Sequence, residues 1–281
     1  MTLLLIAALT GTPDPCGAGL VTTAPIRVSA SGLPMVRVEV TEERRAWFVL
    51  DTGATGTTIH DRLANELGLA AAGVATMGTV TGKTQLPLVR VPTIRLPGLD
   101  WSREVVAGSH AMTTVRRAAP EAEGILGQDV LACYDYLLDY DGKRLVIGHF
   151  EPPEHGIGVP LAWSAGRPVL LVEGKQAPHG LVLDSGADVL VMEAVASRDA
   201  LRAPATQRRL ASLDTHVGAQ QVEVESHPAL RLATMRLIDV DVVRLPSAAW
   251  RMGPEVGVLP AAYFSKVYVS ARTGRAVVWE K

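Results

Sequence analysis

Cysteine and clustered positive charge are scarce in this sequence, and each scarcity excludes a class of protein. The 281 residues include two cysteines, Cys16 and Cys133, too few for a disulfide framework and without a C-x-x-C pair for zinc or redox chemistry. Cys133 lies in an apolar segment, so we expect a buried free thiol there. Lys and Arg total 27 against 29 acidic residues and form no basic stripe, which argues against nucleic-acid binding and a polybasic lipid anchor.

Long hydrophobic runs and the common hydrolase motifs are also missing. The apolar run at 3–9 is too short to span a membrane and fits the h-region of a signal peptide, although no Lys or Arg precedes it. A signal would make the protein exported, either periplasmic or extracellular. A disordered apolar leader and a first strand are the alternatives. The seven histidines form no H-E-x-x-H, and no G-x-S-x-G occurs, so neither a metal site nor a serine nucleophile is predicted.

What the sequence does contain is an internal repeat. FVLDTGA (48–54) reappears as LVLDSGA (181–187), which sets two aspartates 133 positions apart, and GILGQDVL (124–131) corresponds to GVLPAAYF (257–264) at the same offset. Equal offsets at both ends of a long stretch indicate two homologous halves. The expected division of the chain is a leader or signal-like segment at 1–24, a first half at 25–150, a linker at 151–157 and a second half at 158–281.

Two further pairs of segments extend the repeat. PMVRVEV (34–40) matches PVLLVEG (168–174) at an offset of 134, and VPTIRL (91–96) matches HPALRL (227–232) at an offset of 136. Each half consists of short Val, Leu and Ile runs broken by Gly and Pro, a pattern typical of β-strands. Two short helices are also predicted, at DRLANEL (61–67) and at QDVLA (128–132).

The repeated segments resemble the catalytic loops of aspartic peptidases. D-T-G-A followed about 75 residues later by Ile125-Leu126-Gly127 is similar to the pattern of the retropepsin and pepsin clan, and bacterial retropepsin-like proteins are the closest likeness. The resemblance covers nearly all of 25–281, in two copies. It implies a mostly β, bilobal pepsin-like arrangement of two retropepsin-like β-barrel halves with a few short helices. For a single copy, an ordinary turn is the alternative, because D-T-G and D-S-G are common turn sequences.

The resemblance implies an aspartic endopeptidase in which Asp51 and Asp184 form the catalytic dyad. Two carboxylates in contact cannot both ionise, so they share a proton; the ionised member activates a water molecule and the protonated member polarises the scissile carbonyl. No cofactor is required, and the expected partner is a polypeptide substrate bound by a monomer. The alternatives are a catalytically inactive peptide-binding protein and an oligomer in which halves of different chains pair.

Neighbouring residues take their roles from the same resemblance. The residues expected to support the catalytic loops are Thr52, Gly53, Ser185 and Gly186. The residues expected at the substrate are Ala54, Ala187, Asp188 and Gly82. Ala54 and Ala187 replace a hydroxyl residue that is usual in pepsin-like enzymes, which favours activity from mildly acidic to near-neutral pH. For Asp188, a structural ion pair is the alternative to substrate contact.

Two segments remain open to more than one interpretation. The glycine-rich stretch 78–84 occupies the place of the flap that closes over bound peptide; it is not a P-loop, because only three residues separate its glycines. HVGAQQ (216–221) is either a second flap or a shortened loop. Pro260 stands where the first half has Gly127, and proline fixes φ and removes an N–H. The second half is therefore either a relaxed working partner or one in which Asp184 has moved toward a supporting role.

Overall fold

The protein is mostly β, as the sequence predicts. A computed structural model describes residues 21–79, 82–96, 98, 103–173, 178–201, 205–215, 218–232, 234–252 and 254–281. Within these ranges the chain forms twenty strands, four short α-helices and one 3₁₀ turn. None of the helices in these ranges is long and apolar enough to cross a membrane.

The strands and helices follow the chain in order. The strands up to residue 150 are β1 (Thr22–Val28), β2 (Pro34–Glu39), β3 (Arg45–Leu50), β4 (Thr58–His60), β5 (Ala71–Gly78), β6 (Lys83–Ile94), β7 (Arg103–His110), β8 (Ala122–Leu126), β9 (Asp135–Asp139) and β10 (Arg144–Gly148). The later strands are β11 (Ile157–Ser164), β12 (Arg167–Val172), β13 (His179–Asp184), β14 (Leu190–Glu193), β15 (Gln207–Thr215), β16 (Gly218–Leu232), β17 (Met235–Leu245), β18 (Gly257–Pro260), β19 (Lys266–Ser270) and β20 (Arg275–Trp279). The helices are α1 (Asp61–Glu66), α2 (Thr113–Ala118), α3 (Gln128–Leu131) and α4 (Ala194–Ala200).

The order of strands in the first half of the chain repeats in the second. The first eight strands pair in the order β1-β2-β3-β8-β4-β7-β6-β5. The strands from β11 onward pair in the order β11-β12-β13-β18-β14-β17-β16-β15. Each strand of the second order thus takes the place of the strand numbered ten lower. In both, the central contact is a parallel pair, β3 with β8 and β13 with β18.

A third sheet contains strands from both parts of the chain. Its order is β1-β10-β9-β19-β20-β11, with every pair antiparallel. At its centre β9 lies against β19, where Leu138 faces Val267, and both side chains are buried. An ion pair reinforces this contact: Arg272, in the turn after β19, donates at 3.1 Å to the fully buried Asp135 of β9. The two parts of the chain are therefore joined by main-chain hydrogen bonds as well as by the covalent link.

Strands β3 and β13 lie deep in the core because they carry uninterrupted apolar ends. Phe48, Val49 and Leu50 close β3, and all three side chains are buried. Such runs are typical of strands covered on both faces, whereas half-exposed strands alternate. Close packing is visible at Gly124 of β8, where an added Cβ would overlap the ring of Phe48. In each of the two strands, the residue that follows the apolar run therefore lies where the strand leaves a core that excludes water.

The two predicted helices are confirmed. α1 begins at Asp61, with His60 as its N-cap, and the His60 Nδ1 atom accepts the Arg62 N–H at 3.0 Å. The helix ends at Glu66, and Gly68, which follows the C-cap Leu67, has a φ of +61°, the left-handed conformation that glycine adopts most readily. α3 starts directly after Gly127.

The expectation of a free thiol at Cys133 is wrong. Cys133 is disulfide-bonded and half-buried, in the segment between α3 and β9. Cys16, the one other cysteine in the sequence, lies outside the described residues. A pattern of neighbouring apolar residues indicates burial of Cys133 but contains no information about whether its sulfur is bonded.

Candidate active site

The two repeated aspartates lie side by side. Asp51 directly follows β3, and Asp184 is the last residue of β13. Their carboxyl groups are hydrogen-bonded to each other, and both residues are half-buried. They line a cavity of about 610 Å³, a volume within the usual range for small-ligand and peptide subsites. Residues that are 133 positions apart in the sequence thus form one acidic site.

A reciprocal exchange of hydrogen bonds holds the two aspartate loops together. The Thr52 hydroxyl donates to the Leu183 carbonyl at 2.7 Å, and the Ser185 hydroxyl donates to the Leu50 carbonyl at 2.6 Å. Each hydroxyl oxygen also accepts the opposite main-chain N–H, from Thr52 to Ser185 and from Ser185 to Thr52, at 3.0 Å in both cases. Thr52 and Ser185 are both buried. Four bonds therefore cross between the loops without any exposed group.

The glycines after these residues bring each loop against the opposite carboxylate. A Cβ added at Gly53 would overlap the carboxylate of Asp184, and one added at Gly186 would overlap that of Asp51. The same glycines donate their N–H groups within their own loops, to Asp51 Oδ1 at 2.9 Å and to Asp184 Oδ1 at 2.7 Å. Only glycine satisfies both requirements, because any side chain would displace the facing carboxylate.

Burial and mutual contact change the acidity of the pair. Burial raises the pKa of Asp51 well above its usual value, and the charge of Asp184 raises it further. Burial also raises the pKa of Asp184, but the Gly186 N–H, the hydrogen bond to Asp51 and the positive charge of Arg167 oppose that rise. Two carboxyl groups in such contact titrate as one coupled pair, which keeps a single proton over an extended pH range.

A polar network supports the Asp51 loop from below. Gln128 Nε2 donates to the Thr52 carbonyl at 3.0 Å, and the Gly127 N–H donates to Thr57 Oγ1 at 3.3 Å. Gly127 also lies against the backbone of Gly56, since an added Cβ would come within 2.6 Å of the Gly56 carbonyl carbon. Gln128 and Thr57 were not predicted as site residues. Both differ between the two copies of the repeat, so the unequal positions of the repeat contain the signal that would have selected them.

The corresponding support of the Asp184 loop is apolar. Pro260 replaces Gly127, and its φ of −60° is the value that the proline ring imposes. Leu190 and Ala261, both fully buried, stand where the first half has Thr57 and Gln128. Pro260 removes the N–H donor and Leu190 removes the hydroxyl acceptor, so the hydrogen bond between Gly127 and Thr57 is lost in the second half without leaving either of its two partners unpaired. Pro260 pairs in register with Asp184, and Asp184 keeps its contact with Asp51.

Most of the residues expected at the substrate line the cavity. Ala54, Ala187 and Asp188 do so, and the Ala54 N–H donates to Asp51 Oδ1 at 2.8 Å. Asp188 is exposed. Gly82 is not among the lining residues; its carbonyl accepts the Thr79 N–H at 2.8 Å within the turn between β5 and β6. Residues 80 and 81 of the expected flap lie outside the described residues.

Two long hairpins approach the cavity. The β5–β6 hairpin contributes Met77 and Gly78 to the lining, and the β15–β16 hairpin contributes Ser212 and Leu213. The second hairpin spans nine residues in β15 and fifteen in β16, so it is not shortened relative to the first, and residues 216 and 217 of HVGAQQ lie outside the described residues.

The comparison with known proteins agrees with this geometry. Residues 36–130 match the family model described as aspartyl protease, a range that includes the Asp51 loop and all but the last residue of the GILGQDVL segment (124–131). No curated protein matches the chain.

The reciprocal exchange predicts the effect of removing one hydroxyl. Ser185→Ala leaves the Thr52 N–H and the Leu50 carbonyl buried without partners, so we expect the free energy of unfolding to fall by about 2–4 kcal/mol. Ser185→Thr, the residue that the first loop uses, should retain most of the stability. Urea unfolding followed by circular dichroism measures both variants. Equal losses for Ala and Thr would contradict the role of the hydroxyl.

The raised pKa of Asp51 predicts a pH-dependent effect on stability. A carboxyl group whose pKa is raised by folding contributes stability that is fully present below its unfolded pKa and is lost as the pH rises through its folded pKa. Asn does not ionise, so Asp51→Asn should gain stability relative to the wild type as the pH increases from about 4 to about 7. Melting temperatures of both proteins across this range test the prediction. Asp141→Asn, at an exposed position, is the control, and a pH-independent difference for Asp51→Asn would contradict the argument.

Proposed function

We propose that the chain is an aspartic endopeptidase with Asp51 and Asp184 as its dyad. The premise is that residues 36–130 belong to the retropepsin-like aspartyl protease family. The observation that supports this most strongly is the hydrogen bond between the two carboxyl groups at one wall of an open cavity. Two unrelated turn aspartates would not be expected to lie in contact, whereas a catalytic dyad requires that contact.

The proposed reaction needs only the carboxyl pair and a water molecule. The ionised carboxylate takes a proton from the water molecule. The oxygen of that water molecule attacks the peptide carbonyl carbon, and the protonated carboxyl group donates to the carbonyl oxygen. The resulting tetrahedral intermediate collapses when a proton passes to the amide nitrogen and the C–N bond breaks. No covalent enzyme intermediate and no cofactor enter this sequence.

The proposed substrate is an extended polypeptide. The cavity is lined by residues from both aspartate loops and by both hairpins, so a bound chain would have contacts on either side of the dyad. Apolar lining residues such as Leu33, Val49, Leu86 and Val258 favour apolar side chains next to the scissile bond. The β5–β6 hairpin is proposed as the flap that excludes water during the reaction.

The proposed pH range is mildly acidic to near neutral. Asp51 Oδ1 accepts only main-chain N–H groups in its own loop, from Gly53 and Ala54, and Ala54 has no hydroxyl to add a further donor. Burial raises the pKa of both aspartates, so the singly protonated pair persists to higher pH than in separate carboxyl groups.

The proposed enzyme is a bilobal monomer. Both aspartates come from one chain, and the sheet containing β9 and β19 joins the two parts of that chain directly. A monomer is therefore sufficient to assemble the site.

Active-site substitutions test the function. We expect the wild type to cleave a mixed peptide library between about pH 4 and pH 7.5, and Asp51→Asn and Asp184→Asn each to lower kcat/KM by on the order of 10³-fold or more, because each removes one proton-transfer group. Cut sites identified by mass spectrometry give the subsite preference.

Mixing the two single variants is the control for oligomerisation. A monomer with both aspartates in one site gains nothing from mixing Asp51→Asn with Asp184→Asn, whereas pairing of halves between chains would restore part of the activity. Activity that survives in Asp184→Asn alone would overturn the dyad. A well-folded wild type that binds peptides without cutting any of them would favour a catalytically inactive peptide-binding protein.

Export is a separate part of the proposal. The disulfide at Cys133 and the apolar run at 3–9 both favour an oxidising compartment outside the cytoplasm. We expect cells that produce the full chain to release it in the periplasmic or extracellular fraction, with no thiol reactive toward Ellman's reagent after denaturation without reductant. Recovery of the protein with a cytoplasmic marker enzyme would contradict the export proposal.

A further inference from the structure

Main-chain N–H groups reach both aspartates. Asp51 accepts N–H groups from Gly53 and Ala54, and Asp184 accepts one from Gly186. The crossing hydrogen bonds of the two loops have nearly equal lengths. The side chains that differ between the two copies of the repeat are therefore the place to look for a strong preference of the shared proton.

One difference concerns a charged residue in the cavity wall. Arg167 directly precedes the PVLLVEG segment (168–174), and Leu33 directly precedes its counterpart, PMVRVEV (34–40). Both residues line the cavity. The Arg167 side chain is only 13% exposed, so water screens its charge far less than that of a surface arginine. An arginine on the Asp184 side thus corresponds to a leucine on the Asp51 side.

Arg167 is held in place from behind. Its Nη2 atom donates to Glu255 Oε1 at 3.3 Å, and its Nε atom donates to the Ser164 carbonyl at 3.4 Å. Glu255 is 2% exposed in its side chain and is not among the residues that line the cavity. The ion pair therefore presents its positive member to the cavity and keeps its negative member in the core.

The other charged groups around the pair lie further into solvent or remain neutral. Arg117 of α2 and Asp188 both line the cavity, but both are exposed and their opposite charges are screened by water. Tyr140 lies behind the Asp184 loop, and burial raises the pKa of its phenol, so it stays neutral. Among the described residues that line the cavity, Arg167 is therefore the cation least exposed to water.

We propose that Arg167 gives the aspartate pair a fixed polarity, holding Asp184 as the carboxylate and leaving the shared proton on Asp51. This inference rests on the proposed peptidase function and deepens it. Asp184 is then the base that takes the proton from water, and Asp51 is the acid that donates to the substrate carbonyl oxygen. Arg167 acts through Asp184, as a positioning residue, and touches neither reacting atom.

The acidity of the two groups agrees with this assignment. Burial raises the pKa of both, but the charge of Asp184 raises the pKa of Asp51 further, whereas the charge of Arg167 opposes the rise at Asp184. A nearby positive charge favours the ionised form, so loss of Arg167 must raise the lower of the two pKa values of the pair.

The direct test is a titration of the aspartate side chains by ¹³C NMR in protein labelled at Asp Cγ, with the two resonances identified from Asp51→Asn and Asp184→Asn. In the wild type we expect Asp184 to lose its proton first. Arg167→Leu, which copies Leu33, should raise the lower apparent pKa by about 1 pH unit. Arg167→Lys keeps the charge and should stay near the wild type, and Glu255→Gln should move the value downward.

A second variant serves as the control for a loss of stability in Arg167→Leu. Arg167→Leu leaves Glu255 buried without its cation, so Arg167→Leu combined with Glu255→Gln removes both charges and avoids that penalty. The lower pKa of the double variant should still lie above the wild-type value, by less than in Arg167→Leu alone. The inference is overturned if the lower pKa is unchanged in the double variant, if Arg167→Lys shifts as far as Arg167→Leu, or if Asp51 ionises before Asp184 in the wild type.

Activity and titration separate the two proposals. In an active enzyme, the acidic limb of the kcat/KM profile should move to higher pH in the double variant and stay in place in Arg167→Lys. A change in KM without movement of the limb would mean that Arg167 contacts substrate, and the inference would fail. Expected titrations in a wild type that cuts no peptide would overturn the proposed function while sustaining the polarity of the pair.

Discussion

The structure of the site depends on the exchange of hydrogen bonds between Thr52 and Ser185. Each hydroxyl donates to a carbonyl at the end of the opposite central strand, so the exchange forms only when β3 and β13 end at the same point. That requirement fixes the glycines next to the facing carboxylates and leaves no room for a side chain there. The parallel pairs β3–β8 and β13–β18 and the shared sheet around β9 and β19 serve to present two strand ends in that register.

The two loops reach the same geometry with different support. Under the Asp51 loop, Gln128 donates to the Thr52 carbonyl and Thr57 accepts the Gly127 N–H. Under the Asp184 loop, Pro260 lacks the corresponding N–H and the Leu190 side chain lacks the corresponding hydroxyl. Removing one partner of a buried hydrogen bond lowers the stability of the folded protein, whereas removing both partners changes that stability little. Pro260 is therefore tolerated because the hydroxyl that its missing N–H would have met is absent too.

The sequence predicts the features that both copies of the repeat retain. Equal offsets identified the aspartates, and apolar runs bounded by Gly and Pro predicted the strands. Features that depend on contacts between distant segments were not accessible. The ion pair of Arg167 joins positions 88 apart in the chain, and nothing near either residue indicates the other. The apolar residues around Cys133 indicated burial and not its disulfide, and Gly82 lies in the expected hairpin without reaching the cavity wall.

In a single chain the two aspartates can have different surroundings, whereas in a symmetric dimer their surroundings are identical. In a symmetric dimer, a substitution beside one aspartate appears beside both, so a cation at the position of Arg167 would lower both pKa values together. Here the same position is Leu33 in one copy and Arg167 in the other, and one copy can be charged while its counterpart remains apolar. The proposed reaction requires an acid and a base that remain distinct, so placing both aspartates on one chain would allow the sequence to assign those two roles separately.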